Sequence, residues 1–116
     1  MRGVWTFTAY IIWRLSQAKR SDRIYVSELV HFIFDILWRK YKVVLNTNSE
    51  ELEREIEFLD EIGAVDFNDY EIRIKEGLRE VAKIVERSAL RDQFTFYRKY
   101  VETIDQAVSA FSGELS

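Results

Sequence analysis

The fold is decided by residues 59–78, which read LDEIGAVDFNDYEIRIKEGL. Up to Gly63 the apolar residues recur at helical spacing, and from Val65 onward they alternate with charged residues instead. Strict alternation is typical of a half-buried strand, whereas a glycine in this position commonly ends a helix in the left-handed conformation. Asn68 and Asp69, between the two alternating runs, tolerate the positive φ of a tight turn. The stretch therefore predicts the end of a helix followed by a β-hairpin.

Three further elements are expected before this stretch. Residues 6–17 form the first predicted helix because they are apolar nearly all round, and residues 23–26 are a short β-prone run expected at a sheet edge. The second helix is predicted over residues 28–40 with Ser27 as its N-cap, and its wide apolar stripe places it at the centre of the core. Residues 41–45 either extend this helix or link it to the next turn.

A third helix is expected to begin in the polar stretch around residue 48. Thr47 with Glu50 fits a capping box, and Ser49 with Leu52 is a weaker alternative. The apolar residues that follow recur at helical spacing, so one side of this helix should be buried. These residues are Leu52, Ile56, Leu59 and Ile62.

The C-terminal part, from Gly77 to Gly113, is predicted to be helical with a break between residues 88 and 92, because its two apolar stripes do not share phase. The second stripe steps alternately by four and three residues: Leu90, Phe94, Tyr97, Val101, Ile104, Val108 and Phe111. Such a seam either pairs with a second copy of the chain or folds back over the first helix and completes a monomeric core. Because an isolated seam would expose a large apolar patch, we expect a homodimer with these seven residues as its interface.

The composition excludes several classes of protein. The 116 residues suit one compact domain, and a hydrophobic fraction of 47% is too high for intrinsic disorder. The absence of cysteine excludes a disulfide scaffold, a zinc finger and a thiol catalyst, and together with the abundant Glu, Ile and Val it resembles thermophile composition. The uncharged run at residues 3–13 is too short to span a bilayer and precedes no cleavage pattern. We therefore expect a cytoplasmic protein with no membrane partner.

The predicted order of helix, short strand, helix, helix and hairpin resembles a winged-helix domain. Residues 59–65 look like the end of the third helix entering the wing, and residues 70–78 look like the second wing strand. The long C-terminal helix is similar to that of small PadR-like and archaeal regulators, where it supplies the dimer contact. The resemblance implies a mainly α fold with a small β-hairpin (α+β): a winged-helix-like domain over residues 1–87, followed by a dimerisation helix over residues 88–116.

Charge is distributed unevenly along the chain. Residues 1–42 carry a net charge of +5 and residues 43–76 a net charge of −8. In the winged-helix family the third helix usually enters the DNA major groove, but here residues 49–62 hold seven acids and one base, which phosphates would repel. We therefore expect a regulatory or interaction protein whose third helix binds a basic protein partner. The residues expected to bind it are Glu50, Glu53, Arg54, Glu57, Asp60 and Glu61.

The alternative is a DNA-binding transcriptional regulator that contacts phosphates through a basic patch. The bases come from the end of the first helix, the end of the second helix and the wing: Lys19, Arg20, Arg23, Arg39, Lys40, Lys42, Arg73 and Lys75. The competing interpretation of these residues is a solvated surface with salt bridges to the acidic helix.

No pattern in the sequence predicts an enzyme. His31 and Asp35 are four residues apart and could share a metal, but a core histidine with a local hydrogen bond is the favoured interpretation. A solvated face is favoured over a cation site for the carboxylate row Glu50, Glu53, Glu57 and Glu61. The glycines are isolated, so no phosphate loop is expected, and one histidine leaves the serines without a recognisable base. We expect no cofactor and no metal.

Overall fold

The computed structural model describes residues 4–91 and 96–114, which form five helices and three strands. The helices are α1 (Val4–Lys19), α2 (Val26–Val30), α3 (Ser49–Glu61), α4 (Glu76–Arg91) and α5 (Phe96–Phe111), and the strands are β1 (Arg23–Tyr25), β2 (Val65–Phe67) and β3 (Glu71–Ile74). Helix α2 continues directly into a π-helical segment, His31–Trp38, and a 3₁₀ turn, Ser112–Glu114, follows α5. The predicted mainly α fold with a small β-hairpin is confirmed. Within the described residues, no helix has the length and apolar character that crossing a bilayer requires.

The core is built around α1, and the second helix adds its predicted apolar stripe to it: Leu29, Ile33, Ile36 and Leu37 are all buried. Helix α1 contacts α3, α4, α5 and β1. Because it is apolar nearly all round, it can be covered from every side. The side chains at its centre are almost completely buried: Ala9, Tyr10, Ile11, Ile12 and Leu15. At the end of the second helix, by contrast, Trp38 stays at the surface with 37% of its area exposed.

The three strands form an antiparallel sheet in the order β1-β3-β2, so the predicted edge position of β1 is confirmed. Ile72 on β3 lies opposite Ile24 on β1 and Phe67 on β2, and this side of the sheet faces the core. Arg73, one residue further, lies on the outer face opposite Arg23 and Asp66. The alternation read from the sequence therefore sets which side of each strand is buried.

The hairpin turn and the start of α2 differ in detail from the prediction. Neither turn residue has a positive φ, and the side-chain oxygen of Asn68 instead accepts hydrogen bonds from the backbone N–H groups of Tyr70 and of Glu71, the first residue of β3. Helix α2 begins at Val26 rather than after Ser27. Its N-cap is Tyr25, whose backbone N–H donates to Oε1 of Glu28 at 2.9 Å. The segment 41–45 links the π-helical segment to α3 without extending the helix.

The break between the two C-terminal helices is confirmed, because α5 packs back against α4. Arg98 of α5 donates to the carbonyl oxygens of Ala89 and Leu90, both at 3.1 Å. These carbonyls lie in the last turn of α4, where the helix itself supplies no partner. The boundary predicted after residue 87 falls inside α4.

The apolar seam of α5 folds back onto the chain's own core. Four of its seven predicted members are buried in the single chain: Val101, Ile104, Val108 and Phe111. Tyr97 is half-buried, with its ring 5.0 Å from that of Phe7, and Leu90 is 77% exposed on α4. Phe94 lies outside the described residues. This is the second of the two arrangements expected from the sequence: the four buried side chains fill the monomer core and present no surface to a partner copy. The homodimer itself stays a prediction.

Gly63 ends α3 as predicted, with a φ of +80°. Its N–H donates to the backbone carbonyl of Asp60 at 3.1 Å, and the N–H of Ala64 donates to the backbone carbonyl of Leu59 at 2.9 Å. This pair of hydrogen bonds is the one that closes a Schellman motif.

We expect the Gly63→Ala variant to lose about 1 kcal/mol of unfolding free energy, because an L side chain is strained at this φ. No atom lies within 4 Å of the added Cβ, so the loss is conformational rather than steric. Gly113→Ala is the matched control, since its Cβ also meets open space and its φ is not positive. Urea denaturation of both variants checks this, and equal losses would contradict it.

Candidate functional site

The acidic helix α3 is started by a capping arrangement shifted by one residue from the predicted one. Asn48, not Thr47, is the N-cap, and its side chain accepts a hydrogen bond from the N–H of Glu51 at 2.9 Å. The hydroxyl of Thr47 donates to Oε2 of Glu51 at 2.6 Å. This hydrogen bond favours the ionised carboxylate and lowers the pKa of Glu51 below its ordinary value. Ser49 is the first residue of the helix, and Glu50 takes no part in the cap.

Helix α3 is strongly amphipathic. Its apolar stripe, formed by Leu52, Ile56 and Leu59, is at most 1% exposed and fixes the helix against α1. Ile62, the fourth residue predicted to be buried, is the C-cap and is 48% exposed. The opposite side carries carboxylates at helical spacing. We call this set the acidic face; it consists of Glu50, Glu53, Glu57 and Glu61, all exposed. Because the apolar stripe is buried, the acidic face must point into solvent.

The other two predicted partner-binding residues have local roles. Asp60 is half-buried, and its Oδ2 accepts a hydrogen bond from the N–H of Phe67 at 3.1 Å, which ties α3 to β2. Arg54 is exposed and lies 3.9 Å from Glu50. Within the part of the chain that the structure describes, the other three carboxylates of the acidic face form no ion pair. The acidic face is therefore a largely uncompensated surface.

Many of the bases predicted to contact DNA are already engaged with carboxylates. Four of the eight form ion pairs: Lys19 with Glu28 at 2.7 Å, Arg23 with Glu71 at 3.5 Å, Lys75 with Asp66 at 3.8 Å and Arg39 with Asp35 at 3.9 Å. The competing interpretation of these bases placed their salt bridges on the acidic helix, but the four acids lie outside α3. Arg20, Lys40, Lys42 and Arg73 are exposed.

The structure does not bring the eight bases into one patch. Arg23 precedes the second helix, whereas Arg39, Lys40 and Lys42 follow it, and the helical residues between them span roughly 15–20 Å. Near the sheet, Arg73 lies directly opposite Arg23 on the outer face. The predicted basic surface is therefore two separate groups, one at the sheet and one beyond Trp38.

A groove beside α3 was not predicted from the sequence. It has a volume of about 540 Å³ and is lined by Trp5, Glu51, Arg54, Glu55 and Phe58. The rings of Trp5 and Phe58 meet edge to face with their centroids 5.0 Å apart. The groove forms only because α1 packs against α3. Its one signal in the sequence is weak, namely the aromatic residue Phe58 on the polar flank of the amphipathic helix α3.

His31 and Asp35 form the local contact that the favoured interpretation expected, but His31 is not in the core, since 44% of its side chain is exposed. Nδ1 of His31 lies 2.8 Å from Oδ2 of Asp35, and the imidazole ring lies 5.5 Å from that of Phe111. Across residues 4–91 and 96–114, no group of three or more histidine, aspartate or glutamate side chains is arranged to hold a metal ion.

The three-stranded sheet with its helices is not diagnostic of a winged helix, so the family resemblance stays a prediction based on the order of elements. The geometry alone identifies the acidic face and the groove beside it as the candidate interaction surface. In comparisons with known proteins, no family model matches the chain, and no curated protein or solved structure matches it significantly.

Proposed function

We propose that the protein is a non-enzymatic interaction module of winged-helix type, in which the acidic face of α3 binds a basic segment of a protein partner. The observation that carries this proposal is the outward orientation of Glu50, Glu53, Glu57 and Glu61, three of which have no ion pair among the described residues.

Electrostatics favour a cationic partner over a nucleic acid at this surface. Seven acids and one base give residues 49–62 a net charge of −6, and the rows of carboxylates lie on a helix whose other side is fixed in the core. A basic segment would gain attraction from several carboxylates at once and would be steered toward the helix before contact. Because these charges are exposed, the attraction should weaken strongly as salt is added.

DNA binding is the second candidate, and one observation favours it. Arg23 and Arg73 lie side by side on the outer face of the sheet, close in sequence to the exposed Arg20 and to Lys75. Two guanidinium groups in this position could contact neighbouring phosphates. The ion pairs of Arg23 with Glu71 and of Lys75 with Asp66 oppose this use, because these acids would have to release the two bases.

Reversing two charges on the acidic face tests the first proposal. We expect the double variant Glu53→Lys/Glu57→Lys to bind a fluorescein-labelled basic peptide about tenfold more weakly than the parent protein, because two attractive contacts become repulsive. Fluorescence anisotropy between about 20 and 200 mM salt measures this, and the parent affinity should fall along the series.

The matched control is Glu76→Lys/Glu80→Lys, which changes the net charge equally at the same spacing on the exposed side of α4. It should retain most of the affinity. Equal losses in the two double variants would show that net charge alone attracts the peptide, which would overturn the proposal.

A labelled random DNA duplex, measured over the same salt range, tests the second candidate function. Binding that falls steeply with salt and that Arg23→Ala weakens would establish DNA binding.

A further inference from the structure

The groove beside the acidic face combines aromatic and acidic groups in one concave site. Trp5 comes from the first turns of α1, and Phe58 comes from α3 with 39% of its area exposed. Their ring planes are inclined at 70°, so the two rings form a corner rather than a stack. A corner of this kind leaves aromatic surface available beside the two carboxylates of the groove, Glu51 and Glu55.

Glu55 is held in place by two buried donors. Its Oε1 accepts hydrogen bonds from the hydroxyl of Thr8 at 2.6 Å and from Nδ2 of Asn46 at 2.9 Å. Thr8 is fully buried and Asn46 is 1% exposed, so both donors are fixed by the core. Oε2 of Glu55 has no hydrogen-bond partner among the described residues. One oxygen therefore anchors the carboxylate, and the other is available to a ligand.

The net charge of the groove is negative. Glu51 carries its charge at neutral pH, and Glu55 adds a second carboxylate. Arg54 is the one base in the lining, and its guanidinium is directed toward Glu50 at 3.9 Å, with three-quarters of its side chain exposed. The groove thus offers two carboxylates and an aromatic corner to a cation.

We propose that this groove holds the side chain of an arginine on the basic segment bound by the acidic face. The inference rests on the proposed function and makes it more specific. A guanidinium is flat and weakly hydrated, so it can stack on an aromatic ring while its N–H groups reach a carboxylate in the same plane. A lysine ammonium is a compact and strongly hydrated charge that gains less from both contacts.

Two labelled peptides of equal charge, hexa-arginine and hexa-lysine, test the inference on the full chain by fluorescence anisotropy. The parent protein should bind hexa-arginine about threefold to tenfold more tightly than hexa-lysine. Trp5→Leu keeps apolar bulk but removes the aromatic ring, so it should bring the two affinities together. Phe58→Leu should also bring the two affinities together. It serves as a second variant in case Trp5→Leu does not fold, and thermal unfolding shows which of the two proteins is folded.

Glu53→Gln is the matched control, because it removes a charge from α3 outside the groove. It should weaken both peptides by the same factor and leave their ratio unchanged. If both peptides bind but the folded Trp5→Leu or Phe58→Leu protein keeps the parent ratio, the groove inference is overturned while the proposed function stands. If neither peptide binds at low salt, the proposed function fails and the inference fails with it.

Discussion

Replacing Ile104 with alanine should lower the free energy of unfolding by about 2–5 kcal/mol, the usual cost of removing a large aliphatic side chain from a packed core. Ile104 is fully buried in the single chain, where α5 packs against α1 and α4. The loss should be the same at low and at high protein concentration, because the side chain is covered by its own chain. Gln106→Ala, at an exposed position of the same helix, should change stability by less than about 0.5 kcal/mol.

The same experiment distinguishes the fold-back arrangement from a homodimer that pairs through the seam of α5. Stability that comes from association rises with protein concentration, whereas stability of a monomer core does not. Urea denaturation at two protein concentrations about a hundredfold apart therefore separates the two arrangements. A loss in Ile104→Ala that depends on protein concentration would contradict burial of the seam within one chain.

Local signals in the sequence predicted most elements of the fold. Gly63, the alternation on either side of Asn68 and the phase change before residue 92 each act within a few residues, and each marks an element boundary that the structure contains. The helix caps were less accurate. Several adjacent polar residues around Asn48 can each cap α3, and the choice among them depends on where Leu52 must be buried.

Longer-range features could not be predicted in the same way. The seam of α5 has the same periodic pattern of apolar residues whether it packs on its own core or on a partner, so the pattern cannot decide between them. The outcome depends on the surface that α1 offers. The acidic face was visible in the sequence because its members share one helix at fixed spacing. The groove was not, since Trp5 meets Phe58 and Thr8 meets Glu55 only when α1 packs on α3.

A polar contact also holds α5 to α1, and breaking it should have the second largest effect on stability. Asp105 accepts hydrogen bonds through Oδ1 from the hydroxyl of Tyr10 at 2.7 Å and from Nε of Arg14 at 3.1 Å. We expect Asp105→Ala to cost about 2–3 kcal/mol, because the hydroxyl of a tyrosine that is only 1% exposed loses its acceptor. Arg14 is 31% exposed and can turn to water, so it adds little. Asp105→Asn keeps an oxygen acceptor and should lose clearly less in the same urea titration.

The hydrogen bond between Tyr10 and Asp105 also predicts how stability changes at alkaline pH. A purely steric role for Tyr10 would predict no such change. Burial, and after it the hydrogen bond to Asp105, raises the pKa of Tyr10 above its ordinary value of 10.0. Above pH 10 the unfolded chain therefore releases this proton while the folded chain keeps it, so stability falls as pH rises, by up to about 1.4 kcal/mol per pH unit. Tyr10→Phe has no proton to lose at this position, so its stability should decline less steeply as the pH rises. If the stability of the two proteins fell in parallel above pH 10, the folded chain would not hold the Tyr10 proton. The hydrogen bond to Asp105 would then not be the contact that fixes α5 on α1.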